Sequence, residues 1–432
     1  MEIEMADDDK DNAALETGAN DGAAGWLRTK ALTNARVLRQ MKPEIRARAF
    51  AVSGIEDMER LRKVREAVAK IPEGGRWEDA RAAVAQALGT RADERGRAEQ
   101  VVRDNAFQAY SAARYRSQMA DMDVFPYLKY VTVGDGKVRD SHRALNGVIL
   151  RKDDPFWEDH YPPWDFGCRC VAVELTEGMA KSQQEDGTAK MAGKTWSEDW
   201  RAAHAGQDAT REFHHRPGQV SVALDEVAFG EKDGRRELRY TAEDLRVFNA
   251  KMEKETVTLE RDDGSAETVT VREWMWRPVR ERHERRLLDA GKKDSREHAV
   301  ILDRDTGEVL DEAEGGAHSV GPDWSKARGR DFCVYHNHPG VFPDLSPADV
   351  LSAMDHDASE IGAVAGNGAT MRIRFLVKRN KDIAAKIAEF KERLSSTAGL
   401  ENDKVLGEWM KWIRQHAARG GTGLFDLKET WL

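Results

Sequence analysis

The sequence predicts a multidomain protein in which a helical plus α+β N-terminal domain precedes a C-terminal α/β domain with a mixed sheet and flanking helices. At 432 residues the chain is too long for one typical hydrophobic core and indicates two or three domains. Apolar residues recur at helical spacing over residues 55–71, whereas residues 127–133 alternate as in a strand. From Glu297 onward, short strands alternate with turns and one helix. The two ends of the chain are therefore expected to fold differently.

The charge balance restricts the classes of partner. The 77 acidic and 68 basic residues give a net charge of −9, which opposes nucleic-acid binding by the chain as a whole. Residues 26–50 carry seven Lys or Arg and one Glu, and would form either a helix that faces a polyanion or an ordinary solvated helix face. No stretch approaches the ~18 apolar residues of a membrane span, so no membrane partner is expected.

The N-terminal and cysteine patterns indicate a reducing environment. Residues 1–25 are acidic and lack the basic start and apolar core of a signal peptide, so we expect a disordered tail there. The chain has three cysteines, two of them in Cys168-Arg169-Cys170, which do not make a disulfide framework. A reducing compartment such as the cytoplasm follows as the expected location.

Local patterns divide the rest of the chain into four segments. Residues 26–178 contain several predicted helices, a strand and a turn, and then a stretch dense in aromatic, Pro, His and Cys residues that indicates a tightly specified loop. Residues 179–270 are predicted to be a linker with weak local structure, which includes a helix and a hairpin. Residues 271–380 should form the C-terminal domain, and residues 381–432 a helical tail that packs on it or on a partner.

A metal-like pattern lies in the C-terminal domain. His336 and His338 stand two positions apart at a predicted strand end, so both imidazoles point to the same face of the sheet. The stretch Ser346-Pro347-Ala348-Asp349 opens a helix whose first turn can aim Asp349 at the histidines. Two imidazoles and one carboxylate leave the fourth position of a zinc ion open for water, as in catalytic zinc sites.

Two further residues would complete a hydrolytic site. Glu297 begins a strand of the same domain and could take a proton from the water and pass it to the leaving amine. Ser346 could donate a hydrogen bond to the oxyanion of a tetrahedral intermediate. The alternative is purely structural, because Ser at the N-cap, Pro at the first helical position and Asp three residues after the cap also make an ordinary helix cap.

The C-terminal pattern resembles the JAMM (JAB/MPN) metalloprotease motif, in particular its RadC-like and bacterial JAB branches. The likeness consists of an upstream Glu, the sequence HNHP, nine further residues and an Asp that follows a Ser by three positions, all within residues 295–380. It implies zinc as the cofactor and hydrolysis of a peptide or isopeptide bond in an unidentified substrate. The resemblance implies that zinc is held by His336, His338 and Asp349, with Glu297 as general acid/base and Ser346 steadying the intermediate.

A second resemblance covers residues 35–178. The run VGDGKVRDSHRALNGVILRKDDPFWEDHYPPWDFGCRC is similar to the head morphogenesis domain of phage Mu F-like minor capsid proteins, including its C-R-C ending. The resemblance implies a minor head protein that associates with portal or capsid proteins and with packaged DNA, in the virion and in the host bacterial cytoplasm. Within this run, His142, His160, Cys168 and Cys170 could gather around a structural zinc, although aromatic packing alone could also fix the loop.

Together these patterns predict a phage or prophage minor head protein that carries a JAMM-like zinc metallopeptidase. The alternative is a purely structural virion morphogenesis protein whose C-terminal domain binds a partner or DNA without turnover. A Glu297 variant that keeps zinc separates the two hypotheses. If it hydrolyses peptides or isopeptides as well as the wild-type chain does, the structural role is favoured.

Overall fold

The computed structural model describes residues 22–46, 48–89, 95–204, 222–232, 234–261, 263–376, 381–417 and 423–432. The chain divides into two compact units, and each unit takes residues from two separate stretches. The first unit consists of Met1–Val222 and Glu255–Thr270, and the second of Ala223–Lys254 and Val271–Leu432. Within the described ranges, no helix has both the length and the apolar character that crossing a membrane requires.

Helices and strands alternate along both units. In chain order the helices are α1 (22–28), α2 (Ala35–Gln40), α3 (Pro43–Arg46), α4 (Met58–Ala69), α5 (Trp77–Leu88), α6 (Arg95–Ala120), α7 (Asp140–Arg143), α8 (Phe156–His160), α9 (Glu177–Glu185), α10 (Lys194–His204), α11 (Leu224–Ala228), α12 (Ala242–Met252), α13 (Val271–Asp294), α14 (Pro347–Asp355), α15 (Lys381–Ser396) and α16 (Leu400–His416). The strands are β1 (Ala31–Leu32), β2 (Ala49–Phe50), β3 (Tyr127–Val131), β4 (Val148–Arg151), β5 (Val171–Leu175), β6 (Lys190–Met191), β7 (Phe229–Lys232), β8 (Arg235–Leu238), β9 (Thr256–Glu260), β10 (Ala266–Thr270), β11 (His298–Asp303), β12 (Val309–Glu314), β13 (Phe332–His338), β14 (Glu360–Ala365), β15 (Ala369–Phe375) and β16 (Phe425–Trp431). This mixture agrees with the multidomain fold that the sequence predicts.

The first part of the first unit is helical. The side chain of Asp57 caps α4 by accepting the Arg60 N–H at 2.7 Å, so the predicted helix at residues 55–71 begins at Met58. The apolar face of α4 is fully buried against residues from α1, α5 and α6. Residues 22–25 of the predicted disordered tail belong to α1, where Ala23 and Ala24 are buried, while residues 1–21 lie outside the described residues.

The second part of the first unit is a four-stranded sheet of order β5-β3-β4-β6. The strand predicted at residues 127–133 is confirmed as β3, which pairs antiparallel with β4 and β5. Its buried residues Leu128 and Tyr130 pack in a core that also contains Trp157 and Trp164 from the segment between β4 and β5. This aromatic core fixes the loop that connects α7, α8 and the Cys168-Arg169-Cys170 stretch.

The predicted linker at residues 179–270 is instead ordered in the parts that the structure describes. Helices α9 and α10 extend the first unit, and α11, α12 and the β7–β8 hairpin belong to the second. The predicted hairpin around Gly264 is confirmed as β9 and β10, but it completes a sheet of order β10-β9-β1-β2 in the first unit. The reason is a pairing between Leu32 of β1 and Thr258 of β9, which local sequence patterns cannot reveal.

The second unit is built on a mixed six-stranded sheet of order β12-β11-β13-β14-β15-β16. The β13–β14 pair is parallel and the other neighbours are antiparallel. One face packs against α14, α15 and α16 in an apolar core that includes Val334, Ile361 and Trp409. The other face carries α13 and a buried polar layer, in which Arg372 pairs with Glu284 at 3.0 Å.

The C-terminal segment is part of this unit rather than a helical tail. Helices α15 and α16 bury Ile387, Phe390 and Trp409 in the apolar core, as amphipathic helices do. Residues Phe425–Trp431 form β16, an edge strand that is antiparallel to β15. The strand was missed because its sequence, FDLKETW, carries charged residues that suit an exposed edge and leave only a weak strand signal. The second unit thus extends well beyond the predicted boundaries of 271 and 380.

Candidate metal centres

The histidine pair of the second unit lies at the end of β13, between β11 and β14. Alternation along the strand turns His336 and His338 to the same face. The Nε2 atoms of the two imidazoles are 3.0 Å apart; His336 is buried and His338 is half-buried. Two ring nitrogens that converge at a strand end could serve as two ligands of a metal ion.

Asp349 enters the same space from the first turn of α14. Its Oδ2 atom lies 4.0 Å from His336 Nε2 and accepts a hydrogen bond of 2.8 Å from the Ser346 N–H. Ser346 Oγ in turn accepts the Asp349 N–H at 3.2 Å, which completes a capping box. Both arrangements that the sequence left open are therefore compatible: the helix cap is formed, and one ligand atom from each of His336, His338 and Asp349 lies within 4.8 Å of the others.

The surroundings of the two histidines suit ligation through Nε2. His338 Nδ1 is 3.2 Å from the carbonyl oxygen of Phe342, so an Nδ1–H can donate there and leave the Nε2 lone pair directed into the site. Burial lowers the pKa of His336 to about 4, although the charge of Asp349 opposes this effect, so the imidazole is neutral near pH 7. The two Nε2 atoms are 3.0 Å apart, so their lone pairs repel each other unless a proton or a cation lies between them.

Glu297 immediately precedes β11, the strand next to the histidines. Its backbone is fixed by two hydrogen bonds of 2.8 Å, one from its N–H to the Gly316 oxygen and one from the Gly315 N–H to its own oxygen. The residue is 8% exposed. Burial, and to a lesser extent the nearby charge of Asp349, raises the pKa of Glu297 to about 7. The carboxyl group is therefore placed near the cluster and is unusually basic.

Asn337, which the sequence did not single out, connects the two strands that carry these residues. It lies between the two histidines on β13, and its side chain points to the opposite face of the sheet and is 1% exposed. Its Oδ1 atom accepts the His298 N–H at 2.7 Å, and its Nδ2 donates to the Arg296 oxygen at 2.8 Å. Asn337 thus holds the chain on both sides of Glu297. The only sequence signal was an amide between the two histidines of a strand that begins with apolar residues.

A second cluster lies in the first unit. The structure brings His142 of α7 together with Cys168 and Cys170, all three buried, with one ligand atom of each within 4.8 Å of the others. The predicted fourth member, His160, lies elsewhere. Its ring stacks on Phe156 with centroids 4.7 Å apart and meets the edge of Trp164 at 5.0 Å. Helix α8 directs this imidazole into the aromatic core, so the cluster contains three of the four predicted residues.

The basic segment at residues 26–50 does not form one helix. It is divided among α1, α2 and α3 and two short strands. Some of its cations interact within the first unit. Arg28 pairs with Glu66 at 3.0 Å, and Lys30 is buried with its ammonium group 3.7 Å from the centre of the Trp26 ring. A single basic helix face for a polyanion is therefore not formed by these residues.

Part of the first unit is similar to a known family of phage proteins. Residues 28–173, less than half of the chain, match the family model described as Phage Mu protein F like protein. The resemblance inferred for residues 35–178 is thereby confirmed over most of its length. The match ends before Ala223, where the second unit begins. The likeness to phage proteins therefore concerns the unit that contains the His142, Cys168 and Cys170 cluster.

Two curated relatives share shorter stretches with the chain. It is 48% identical over 83 residues to the Mu-like prophage FluMu F protein of Haemophilus influenzae, an alignment of 19% of this chain and 20% of that protein. It is 40% identical over 77 residues to the putative capsid assembly protein F of Escherichia phage Mu, with 18% of each chain covered. The alignments thus span one fifth or less of the length of these curated relatives. No solved structure matches the chain.

Proposed function

We propose that the chain is a minor head protein of a phage or prophage, associated with capsid or portal proteins, and that it carries a JAMM-like zinc metallopeptidase. The head role is supported by the family match of residues 28–173 and by a relative that is named a putative capsid assembly protein. The peptidase role rests on one observation above all, the convergence of His336, His338 and Asp349 in the second unit. The substrate would be a peptide or isopeptide bond.

The donor set fits a zinc ion with an open position. His336 and His338 offer imidazole nitrogens and Asp349 offers a carboxylate oxygen, which are ligands of catalytic zinc sites. A cation between the two Nε2 atoms would remove their repulsion, since the edge between two nitrogens of a tetrahedral zinc site measures about 3.3 Å, close to the 3.0 Å of the structure. When bound there, zinc would supply a Lewis acid and an activated water.

Glu297 and Ser346 supply the remaining groups for hydrolysis. The carboxylate of Glu297 accepts the proton of the attacking water and passes it to the departing amine. Ser346 Oγ accepts the Asp349 N–H, so its own hydroxyl proton remains available to stabilise an oxyanion. Asn337 fixes the chain on both sides of Glu297 and thereby orients the carboxylate. Each of these proposed roles thus has a candidate residue in the second unit.

The peptidase is tested on the full-length chain with a library of peptides and isopeptide-linked peptides. The variants are Glu297→Gln and, as a matched control, His318→Ala, which changes an exposed histidine of the same unit. Wild type and the control should cleave a common member of the library, and Glu297→Gln should not cleave it while zinc content stays equal. Equal cleavage by wild type and Glu297→Gln, or cleavage by neither, contradicts the proposal.

The alternative is a structural protein without turnover. It is supported by the complete capping box of Ser346 and Asp349, which explains the position of Asp349 without a metal. Zinc analysis of wild type and His338→Ala separates the two functions. The peptidase proposal expects a difference of about one zinc per chain. Equal zinc content in the two proteins would favour the structural alternative.

The head role is tested by protein analysis of purified phage particles. The wild-type chain should be present in heads, and Glu297→Gln should be present in the same amount, because the substitution leaves the unit with the phage-like region unchanged. Particles that lack the wild-type chain would contradict a role in the head. This outcome does not depend on whether the second unit cleaves a substrate.

A further inference from the structure

We propose that His142, Cys168 and Cys170 bind a structural zinc ion in the first unit, and that the hydroxyl of Tyr130 closes the fourth side of this site. The site is independent of the proposed peptidase, because it uses other residues in another unit. Its ligands are two thiolates and one imidazole, the groups that structural zinc sites prefer. The ion would tie α7 to the start of β5.

The first argument is the position of one nitrogen relative to two sulfurs. His142 Nδ1 lies 3.6 Å from Cys168 Sγ and 3.6 Å from Cys170 Sγ. A ring nitrogen has one lone pair and can accept a hydrogen bond from only one thiol at a time. Zinc with bonds of about 2.3 Å to sulfur and 2.0–2.1 Å to nitrogen would give N–S edges of about 3.5–3.6 Å in a tetrahedral site. Both distances fit a shared cation.

The second argument is how the fold fixes the ligands. The imidazole of His142 stacks on Trp164 with ring centroids 3.9 Å apart and planes 6° from parallel. Cys168 and Cys170 lie two positions apart, and both sulfurs point to His142. The intervening Arg169 points to Asp135, with two hydrogen bonds of 2.6 and 2.8 Å. Neighbouring side chains of an extended chain point in opposite directions, as those of Arg169 and the two cysteines do. The three ligands are therefore held before any ion arrives.

The third argument concerns the fourth side of the site. The hydroxyl oxygen of Tyr130 lies 3.3 Å from His142 Nδ1 and accepts a hydrogen bond of 2.7 Å from Trp164 Nε1. The N–O edge of tetrahedral zinc measures about 3.3 Å, which equals the separation of this oxygen from His142 Nδ1. Tyr130 is fully buried. A site closed by protein on four sides is structural rather than catalytic.

An entry route for the ion is also present. Both cysteines line a cavity of about 370 Å³, together with Tyr161, Pro162 and residues of α6. The cavity gives solvent access to the sulfur side of the cluster, which otherwise is buried. An accessible path, correct ligand types and suitable distances are the features that a real metal site must combine.

The experiment uses the full-length chain in a His336→Ala, His338→Ala background, which removes the ligands of the other proposed site. We expect about one zinc per chain to remain. After replacement by cobalt, the spectrum should show a near-ultraviolet thiolate-to-cobalt charge-transfer band. Adding Cys168→Ser and Cys170→Ser should abolish both the zinc and the band. Cys333→Ser, which changes the buried cysteine of the second unit, is the matched control and should retain both.

Two results would overturn the proposal. One is a background protein without zinc or without the thiolate band, and the other is metal retained after loss of Cys168 and Cys170. If the double cysteine variant does not fold, the wild-type chain still decides the matter by alkylation and mass spectrometry. Chelation should accelerate labelling of Cys168 and Cys170 relative to Cys333, which serves as the internal reference. Labelling that is unchanged by chelation contradicts zinc at this site.

Discussion

The two units place histidine among different partners. In the first unit, His142 is enclosed with two cysteines, and all three side chains are buried. In the second unit, His336 and His338 share Asp349 at a strand end, where His338 and Asp349 remain half-exposed. An enclosed set with two sulfurs suits an ion that holds the fold, and a nitrogen–oxygen set with an open side suits an ion that meets substrate. If both sets bind an ion, similar ligand counts would serve different purposes because the surrounding fold differs.

The sharpest test of this comparison is the loss of each site in turn. Cys168→Ser with Cys170→Ser should cost the first unit several kcal/mol, since metal binding contributes directly to the stability of a structural site. A loss of about 3 kcal/mol corresponds to a fall in Tm of roughly 6–12 °C. His336→Ala with His338→Ala should lower the Tm of the second unit by less, since two of the three ligands of that site are only half-buried. Calorimetry of the full-length chain compares the two, and equal falls would contradict the assignment of one structural and one open site.

The pH dependence of stability should also differ between the units. Burial, and then the charge of Arg48, lowers the pKa of Lys30 in the first unit from 10.5 to about 7. Between these values the unfolded chain binds a proton that the folded unit does not, so stability should rise with pH, by at most about 1.4 kcal/mol per pH unit. Lys30→Met should remove this rise and stabilise the first unit at pH 7. Thermal unfolding from pH 6 to 10 measures it.

Glu273 of the second unit provides the contrast, because the charge of this buried carboxylate is compensated by nearby arginines. Burial raises the pKa of Glu273. The positive charges of Arg280 and Arg374 outweigh this effect and hold that pKa at about 2. A lowered pKa of this kind adds stability above about pH 4.5, which is lost as the pH falls toward 2. The second unit should therefore lose stability in acid. The ionisation of Glu273 should cause no rise in its stability above pH 7. A rise of equal slope in both units would contradict the difference.

A substitution at Gly291 should have a smaller effect on stability, but it tests the proposed peptidase more specifically. A Cβ atom at this position of α13 would lie 2.0 Å from Asn337 Nδ2, so Gly291→Ala should displace the amide that holds the chain around Glu297. We expect a loss of about 1–3 kcal/mol from broken buried hydrogen bonds. Cleavage should fall roughly 10–100-fold with zinc retained, as for other groups that orient a metal site from outside it. Denaturant unfolding and rate measurements test both effects.

Gly407 is the control for this substitution. It lies within α16 and has no atom within 4 Å of a Cβ placed on it. Gly407→Ala should therefore stabilise the second unit by about 0.5–1 kcal/mol, as expected for alanine in a helix. The two substitutions are chemically identical and should have opposite signs. Stabilisation by both would show that Asn337 can move without consequence.

The smallest expected effect lies at Arg169, between the two cysteines. Its ion pair with Asp135 is exposed to solvent, so Arg169→Ala should change the stability of the first unit very little. Zinc content and the cobalt–thiolate band should remain unchanged, since the arginine points away from the sulfurs. Loss of the metal in this variant would mean that the ion pair, rather than the local fold, positions the cysteines.

The elements around the second site could be predicted because they are local. The same-face placement of His336 and His338 follows from strand alternation, and the cap at Ser346 follows from residue types three positions apart. The bonds of Asn337 could not be predicted in this way. They depend on the pairing of β11 with β13, which joins residues 39 and 41 positions apart. Local patterns identify an amide in a strand and do not identify its partners.

The residue types alone also did not predict which side chains form the first cluster. His160 has the same side chain as His142, but α8 directs it toward Phe156 and Trp164. The hairpin of β9 and β10 was predicted from its own sequence, whereas its neighbour β1 lies more than two hundred positions earlier in the chain. Side-chain direction and long-range pairing therefore account for what the sequence did not reveal about this unit.

The division of each unit into two stretches has a genetic consequence. Because the first unit needs Glu255–Thr270 and the second needs Ala223–Lys254, no single breakpoint in the gene separates two complete units. A recombination event at residue 222 would deprive the first unit of its hairpin, and one at residue 270 would deprive the second of α11 and α12. Exchange of the second unit between two related genes would thus require two breakpoints, or a replacement that brings its own copy of the missing segment.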